Sequence, residues 1–258
     1  MHLRSEEREA KEFLERLDVV VLPVPTGSGK TPEFLVDGDA RGYVVEVKAR
    51  NESHDWLREA IAGGIAEQSR PTGYDRWVED VSRYALKQFR AIDPNHERFW
   101  VVWISIRATA SATEMLEQTI GSLFGVRQVV DVVDFSKECP MWEVLFARPG
   151  VFERHHEIVG VVICADARIT LCVNEFSDDF SAFCGSRLYD AFRFLPPISA
   201  TDLVTERGFF AIHNASIDRR DQAALAEYFR AEYGLANPFV IDMTTHSATI
   251  FQRDTNDP

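Results

Sequence analysis

The run Phe99-Trp100-Val101-Val102-Trp103-Ile104-Ser105-Ile106 limits the chain more than any other segment. It is almost wholly apolar and rich in β-branched and aromatic residues, which favour a strand. A strand with one wet face alternates apolar and polar residues; a strand apolar on both faces is covered on both. Helices packed on each side of a sheet supply that cover, so an α/β fold with this segment as a central strand is expected. Helices are at hand. Arg76 to Ile92 sets Trp77, Val81, Tyr84, Leu86 and Phe89 at helical spacing, with Pro94 just beyond its end. Residues 4–17 place Leu3, Ala10, Phe13, Leu14 and Leu17 on one stripe, with Ser5 as the expected N-cap.

Between these helices the pattern turns to strands. Val19 to Val24 is apolar and ends among Pro23 and Pro25. Glu33 to Val36 and Tyr43 to Lys48 flank the turn-rich Asp37-Gly38-Asp39-Ala40-Arg41-Gly42, the signature of a hairpin. Trp56 to Gln68 is expected to be helical although Gly63 and Gly64 weaken it. A helix from Ala112 to Leu123 and a strand from Gln128 to Phe135 follow, so the first half has the order α-β-β-β-α-β with a helix and strand appended. Beyond Ser136, strands are expected at Trp142–Ala147, Ile158–Cys164, Ile169–Val173, Phe209–His213 and Phe239–Thr244, with one helix, Asp218–Tyr233, closed by Gly234. A domain boundary is expected near 136, dividing the chain into 1–135 and 136–258, with a sheet continuous through both halves as the alternative.

Composition narrows the function. The net charge is −13, from 28 basic and 41 acidic side chains, so the protein is not coated for non-specific nucleic-acid binding. The charge is uneven: residues 1–40 hold 5 basic and 9 acidic groups, residues 41–110 hold 11 and 10, and residues 111–258 hold 12 and 22. Any contact with a phosphate backbone therefore belongs to 41–110, and the acidic C-terminal half is expected to face water or a protein partner. The longest apolar runs are strand-sized, far short of a membrane span, and the charged N-terminal stretch does not resemble a signal peptide. Four cysteines without a C-x-x-C pair read as reduced core thiols of a cytoplasmic protein.

The hairpin carries the chemistry. Glu33 opens one strand; with twelve residues between the carboxylates, the next strand holds Glu46-Val47-Lys48. Alternate residues of a strand share a face, so Glu46 and Lys48 point together while Val47 points away. Pairing of the two strands brings the Glu33 carboxylate beside Glu46. Two carboxylates and an ammonium converging at a sheet end suit Mg²⁺, which prefers oxygen ligands and retains water, and a phosphoryl centre that needs charge stabilised.

Pro32-Glu33, a variable gap and Glu46-Val47-Lys48 resemble the PD-(D/E)XK nuclease superfamily, with glutamate at the first acidic position where the family has aspartate. The resemblance covers residues 4–107. It implies a restriction-endonuclease-like core, a mixed central sheet flanked by helices, over 1–135, with 136–258 as an α+β C-terminal extension. It implies a Mg²⁺- or Mn²⁺-dependent deoxyribonuclease, with RNA as a further substrate class. Glu33 and Glu46 would be the metal ligands with the Val47 carbonyl as a third, and Lys48 the cation that activates water. Glu7 on the first helix would be an accessory carboxylate, with Glu6 its rival, and Arg83, Lys87 and Gln88 on the following helix would lie near the phosphate. Cutting both strands implies a homodimer. A nuclease-fold scaffold or protein-interaction module without catalysis is the alternative.

Pro25-Thr26-Gly27-Ser28-Gly29-Lys30-Thr31 imitates a phosphate-binding loop after an apolar strand. Only Glu33 to Val36 separates it from the next turn cluster, so the anion-binding helix such a loop requires has no room. Lys30 is left as a candidate contact to a nucleic-acid backbone. His155-His156-Glu157 is expected on a strand, with the two rings on opposite faces.

Overall fold

A computed structural model describes residues 3–25, 31–39, 41–51, 65–71, 74–108, 112–133, 138–166, 168–213, 216–242 and 244–250. In chain order the elements are α1 (Ser5–Glu15), β1 (Val20–Pro23), β2 (Phe34–Asp37), β3 (Tyr43–Asn51), β4 (Ile65–Pro71), α2 (Arg76–Ile92), β5 (Phe99–Arg107) and α3 (Ala112–Phe124). Then come β6 (Arg127–Asp131), β7 (Met141–Leu145), α4 (Val151–Arg154), β8 (Ile158–Ala165), β9 (Arg168–Val173), α5 (Phe180–Phe183) and α6 (Arg187–Asp190). The last are α7 (Ala200–Thr205), β10 (Phe210–Ala211), α8 (Gln222–Tyr233), β11 (Pro238–Ile241) and β12 (Thr244–Ile250).

The main sheet runs β1-β2-β3-β5-β8-β9. Its three middle strands β3, β5 and β8 are parallel, and antiparallel partners close both sides, so the sheet is mixed. β5 lies inside it, and every residue from Phe99 to Ile106 is buried. One face packs under α1, where Ala10 and Leu14 meet Tyr43, Val45, Val47 and Trp103. The other packs under α2 and α3, where Val78, Phe89, Met115 and Leu123 meet Val44, Val102 and Ile104. The alternation along β3 is thus split between two cores, as period-2 geometry requires of a doubly covered strand.

The main sheet takes strands from both sides of residue 136. β8 and β9 extend the main sheet from β5, and β6 pairs with β7 across residues 132–140. A second sheet, β10-β7-β6-β11, encloses its own core with Leu225 and Phe229 of α8. Sheet pairing is non-local, and a shift in composition along the chain does not show which strands share a sheet. The expected helix Trp56–Gln68 lies outside the described residues as far as 64, and residues 65–68 are strand, paired antiparallel with β12. Arg4, not Ser5, is the N-cap of α1. His155 and His156 follow the short helix α4 instead of lying on a strand: His155 faces Glu79 at 3.4 Å, and the His156 ring stacks on Phe176. Of the four cysteines, which are all free, only Cys172 is buried. Among the described residues no helix is long and apolar enough to cross a membrane.

Candidate active site

β2 ends before β3 does, and the site forms where it runs out. The antiparallel register pairs Phe34 with Val45, and the Glu33 N–H donates to the Val45 carbonyl at 3.1 Å. β3 continues to Asn51 with β5 alone beside it. The Val47 N–H, which a longer β2 would have paired, donates instead to Glu33 Oε2 at 2.7 Å. A backbone donor at a sheet edge needs an acceptor, and here a carboxylate provides it. That bond fixes Glu33 over the neighbouring strand.

Glu46 and Lys48 lie on the α2 side of β3. Glu46 is fully buried, and its Oε1 forms an ion pair with Lys48 Nζ. The same ammonium lies 3.2 Å from the Val47 carbonyl oxygen and 3.7 Å from Glu33 Oε1. The Gln88 amide of α2 meets both Glu46 oxygens, and the hydrogen-bonding pattern around it assigns its NH₂ to that side, 2.7 Å from Oε2. Burial pushes the Glu46 carboxyl up to about 8; the Glu33 carboxylate, in hydrogen-bond contact, adds to the rise, and Lys48 opposes it. Two carboxyl groups held together out of water do not both ionise readily.

The helices that frame the site are tied down by polar contacts. Arg50, one turn of pleat beyond Lys48, forms an ion pair with Asp75, the residue that caps α2 through the Trp77 N–H at 2.8 Å. Its guanidinium also reaches Gln118 at 3.1 Å and Thr119 at 3.3 Å on α3. α2 is thereby anchored at its N-terminus to the end of β3, and three turns later it delivers Gln88 to Glu46. On the other side, Arg4 donates to Glu7 Oε1 at 2.6 Å and Glu33 Oε1 at 3.1 Å, linking α1 to the hairpin.

These groups border a cleft of about 790 Å³. Glu33, Lys48, Glu7, Lys87 and Gln88 all line it. Glu46 forms its floor only through Lys48 and Gln88. Glu7 faces the cleft, but its two oxygens are held by Arg4, so it acts on Glu33 through that guanidinium. Glu6 is buried as well and lies 3.4 Å from Arg4. Arg83 does not line the cleft; it pairs with Asp80 at 2.6 Å and sits over the Tyr84 ring. Lys30 lies outside the described residues. After Pro32 the chain enters β2 directly, with no helix to serve a phosphate-binding loop. Arg4 was not marked by the sequence pattern, since it reaches Glu33 across 29 positions with a flexible arm. Tyr84 belongs to the cleft wall and not to the core stripe of α2, whereas Trp77 lines the cleft and also packs against the core.

The oxygens of Glu33, Glu46 and the Val47 carbonyl surround one cationic position, taken by Lys48 Nζ. Such a set is hard and anionic, and Mg²⁺ is commonly held by one or two carboxylates with water completing the shell. The donor chemistry therefore fits Mg²⁺ or Mn²⁺, provided the ammonium moves aside. Among the described residues no group of three or more His, Cys, Asp or Glu side chains is arranged to hold a metal ion. Comparison with protein-family models, with curated proteins and with solved structures gives no match.

Proposed function

We propose that the cleft is the active site of a metal-dependent phosphodiesterase acting on DNA, on a core of the restriction-endonuclease-like type. One observation carries the assignment: Glu33, just before β2, and Glu46 of β3 meet around the Lys48 ammonium at the edge of an open cleft. Glu33, Glu46 and the Val47 carbonyl would hold Mg²⁺ or Mn²⁺. When bound, the ion supplies Lewis acidity and a lowered pKa for its water.

The chain's own groups perform the rest. Lys48, displaced from between the carboxylates, faces the attacking water and offsets the negative charge that gathers on the phosphoryl oxygens. Water adds to phosphorus as the P–O bond to one nucleoside breaks, and the proton that the water gives up passes, through solvent, to the departing alkoxide oxygen. Gln88 holds Glu46 in place through its NH₂, and Arg4 holds Glu33 and Glu7 together at the rim. Lys87 lines the same cleft, ready for a phosphate beside the one that reacts.

Lys48→Ala is expected to lower Mg²⁺-dependent cleavage of DNA by about 10²–10³-fold with an unchanged circular-dichroism spectrum; undiminished cleavage refutes the assignment. A second function, a non-catalytic scaffold, is favoured by one observation: Lys48 and Gln88 already satisfy Glu46. Titration of Mg²⁺ or Mn²⁺ separates the two. A nuclease site gives a thermal upshift that Glu46→Ala removes, and a scaffold melts at the same temperature with or without the ion.

A further inference from the structure

One wall of the cleft is a single stripe of α2: Trp77, Val81, Tyr84 and Gln88, spaced i, i+4, i+7 and i+11. Gln88 ends the stripe at the carboxylates. Tyr84 stands one turn away, about 6 Å along the axis, and Trp77 stands about 16 Å away. A helix face directed at a core would bury such rings. Tyr84 is 52% exposed instead, whereas Trp77 packs against the core with the Arg50 guanidinium 5.7 Å from its ring centroid, and Val81 is buried. Cations bracket the tyrosine: Arg83 lies 5.5 Å from the ring centroid and Lys87 lies 5.8 Å from it. Lys87 takes part in no ion pair among the described residues.

Resting on the nuclease assignment, we infer that the exposed Tyr84 ring is a stacking platform and that the substrate is an unpaired strand, with the base next to the scissile phosphate lying on it. A base inside a duplex has both faces covered by its neighbours, so only an unpaired base offers one to an aromatic ring. Lys87, which lines the cleft, then neutralises a phosphate beside that base, while Arg83 stays paired with Asp80 outside the cleft. The position of Tyr84, one helical turn from the group that holds Glu46, is about one nucleotide step from the reacting phosphorus. The cleft volume of about 790 Å³ falls in the range of sites that enclose a small ligand, which suits one or two nucleotides better than the side of a rigid double helix.

The test is binding, measured by fluorescence anisotropy with EDTA present so that nothing is cut. The probes are short oligothymidylate, short oligouridylate and a duplex of equal length. The full chain is expected to prefer the single strands. Tyr84→Ala is expected to weaken single-strand binding by about 5- to 150-fold, the effect of one lost base–aromatic stack, while Tyr84→Phe retains it and duplex binding stays the same. The exposed position of Tyr84 keeps the alanine variant folded, which its melting temperature verifies. Binding to oligothymidylate, oligouridylate or both, if sensitive to Tyr84→Ala, supports the platform and identifies the sugar. Equal affinity for duplex and single strand, unaffected by Tyr84→Ala, overturns the platform alone. Failure to bind all three probes overturns the nuclease assignment with it.

Discussion

Glu46→Gln isolates the electrostatics of the site from its chemistry. In the folded, metal-free protein the Glu46 carboxyl keeps its proton up to about 8, whereas the unfolded chain releases it near 4.5. Unfolding therefore gives up a proton between these values, and stability falls as pH rises through that window. Each pH unit removes up to about 1.4 kcal/mol, so the loss by pH 7 approaches about 3 kcal/mol. Glutamine copies the protonated acid at all pH values, with an amide hydrogen where the carboxyl proton met Glu33. The variant's stability is then expected to stay level while the wild type declines. Urea unfolding in EDTA, followed by tryptophan fluorescence from pH 5 to pH 8, gives both slopes. Parallel slopes would refute the argument, because they would mean that Glu46 titrates in the fold as it does in water. Added Mg²⁺ at pH 8 is expected to restore the wild type and leave the variant unmoved.

Further expectations concern the frame of the site. Asp93 accepts from the Trp100 indole at 2.9 Å and from the Glu97 and Arg98 amides at 2.9 and 3.0 Å, so Asp93→Ala should destabilise by about 2–3 kcal/mol in urea unfolding. Gly125 has φ +64°, and an added Cβ would stand 2.0 Å from the Arg148 carbonyl oxygen; Gly125→Ala should cost more than about 1 kcal/mol, seen as a lowered melting temperature. The His155 ring 3.4 Å away, with the charge of Arg154 beside it, holds the Glu79 carboxyl below its usual range against the opposing effect of burial. That contribution is present above the ordinary carboxylate range and lost as pH falls through the folded value, so Glu79→Gln should flatten the acid limb of the stability profile.

What the sequence disclosed follows from the range of the forces involved. α2 and β5 were legible because each carries its own pattern: a helical stripe closed by proline, and a strand apolar on both faces. The αL glycine after α8 was legible for the same reason, and Gly234 has φ +68°. The helices α4 to α7 were not foreseen. They span four to six residues, too few for a hydrophobic period, and helices so short owe their existence to packing and caps rather than to propensity. Ser199 and Ser186 provide two such caps. Membership of β8 and β9 in the main sheet was hidden as well, since a strand's sequence gives its faces and not its neighbour.

Within the site the same division holds. Glu33, Glu46 and Lys48 could be assembled on paper because one hairpin register and one pleat relate all three. The bond that orients Glu33 could not, because it depends on β2 stopping short of Val47, a difference in strand length that no residue encodes alone. Arg4 and Gln88 come from helices on opposite faces of the sheet, and their convergence on two adjacent carboxylates is a consequence of the layer order. This has a bearing on mechanism: the acids are held from both faces, by Arg4 outside and Gln88 inside, while Lys48 alone is free to swing on its stem. A cation entering the cleft therefore meets ligands already fixed and needs only one side chain to move.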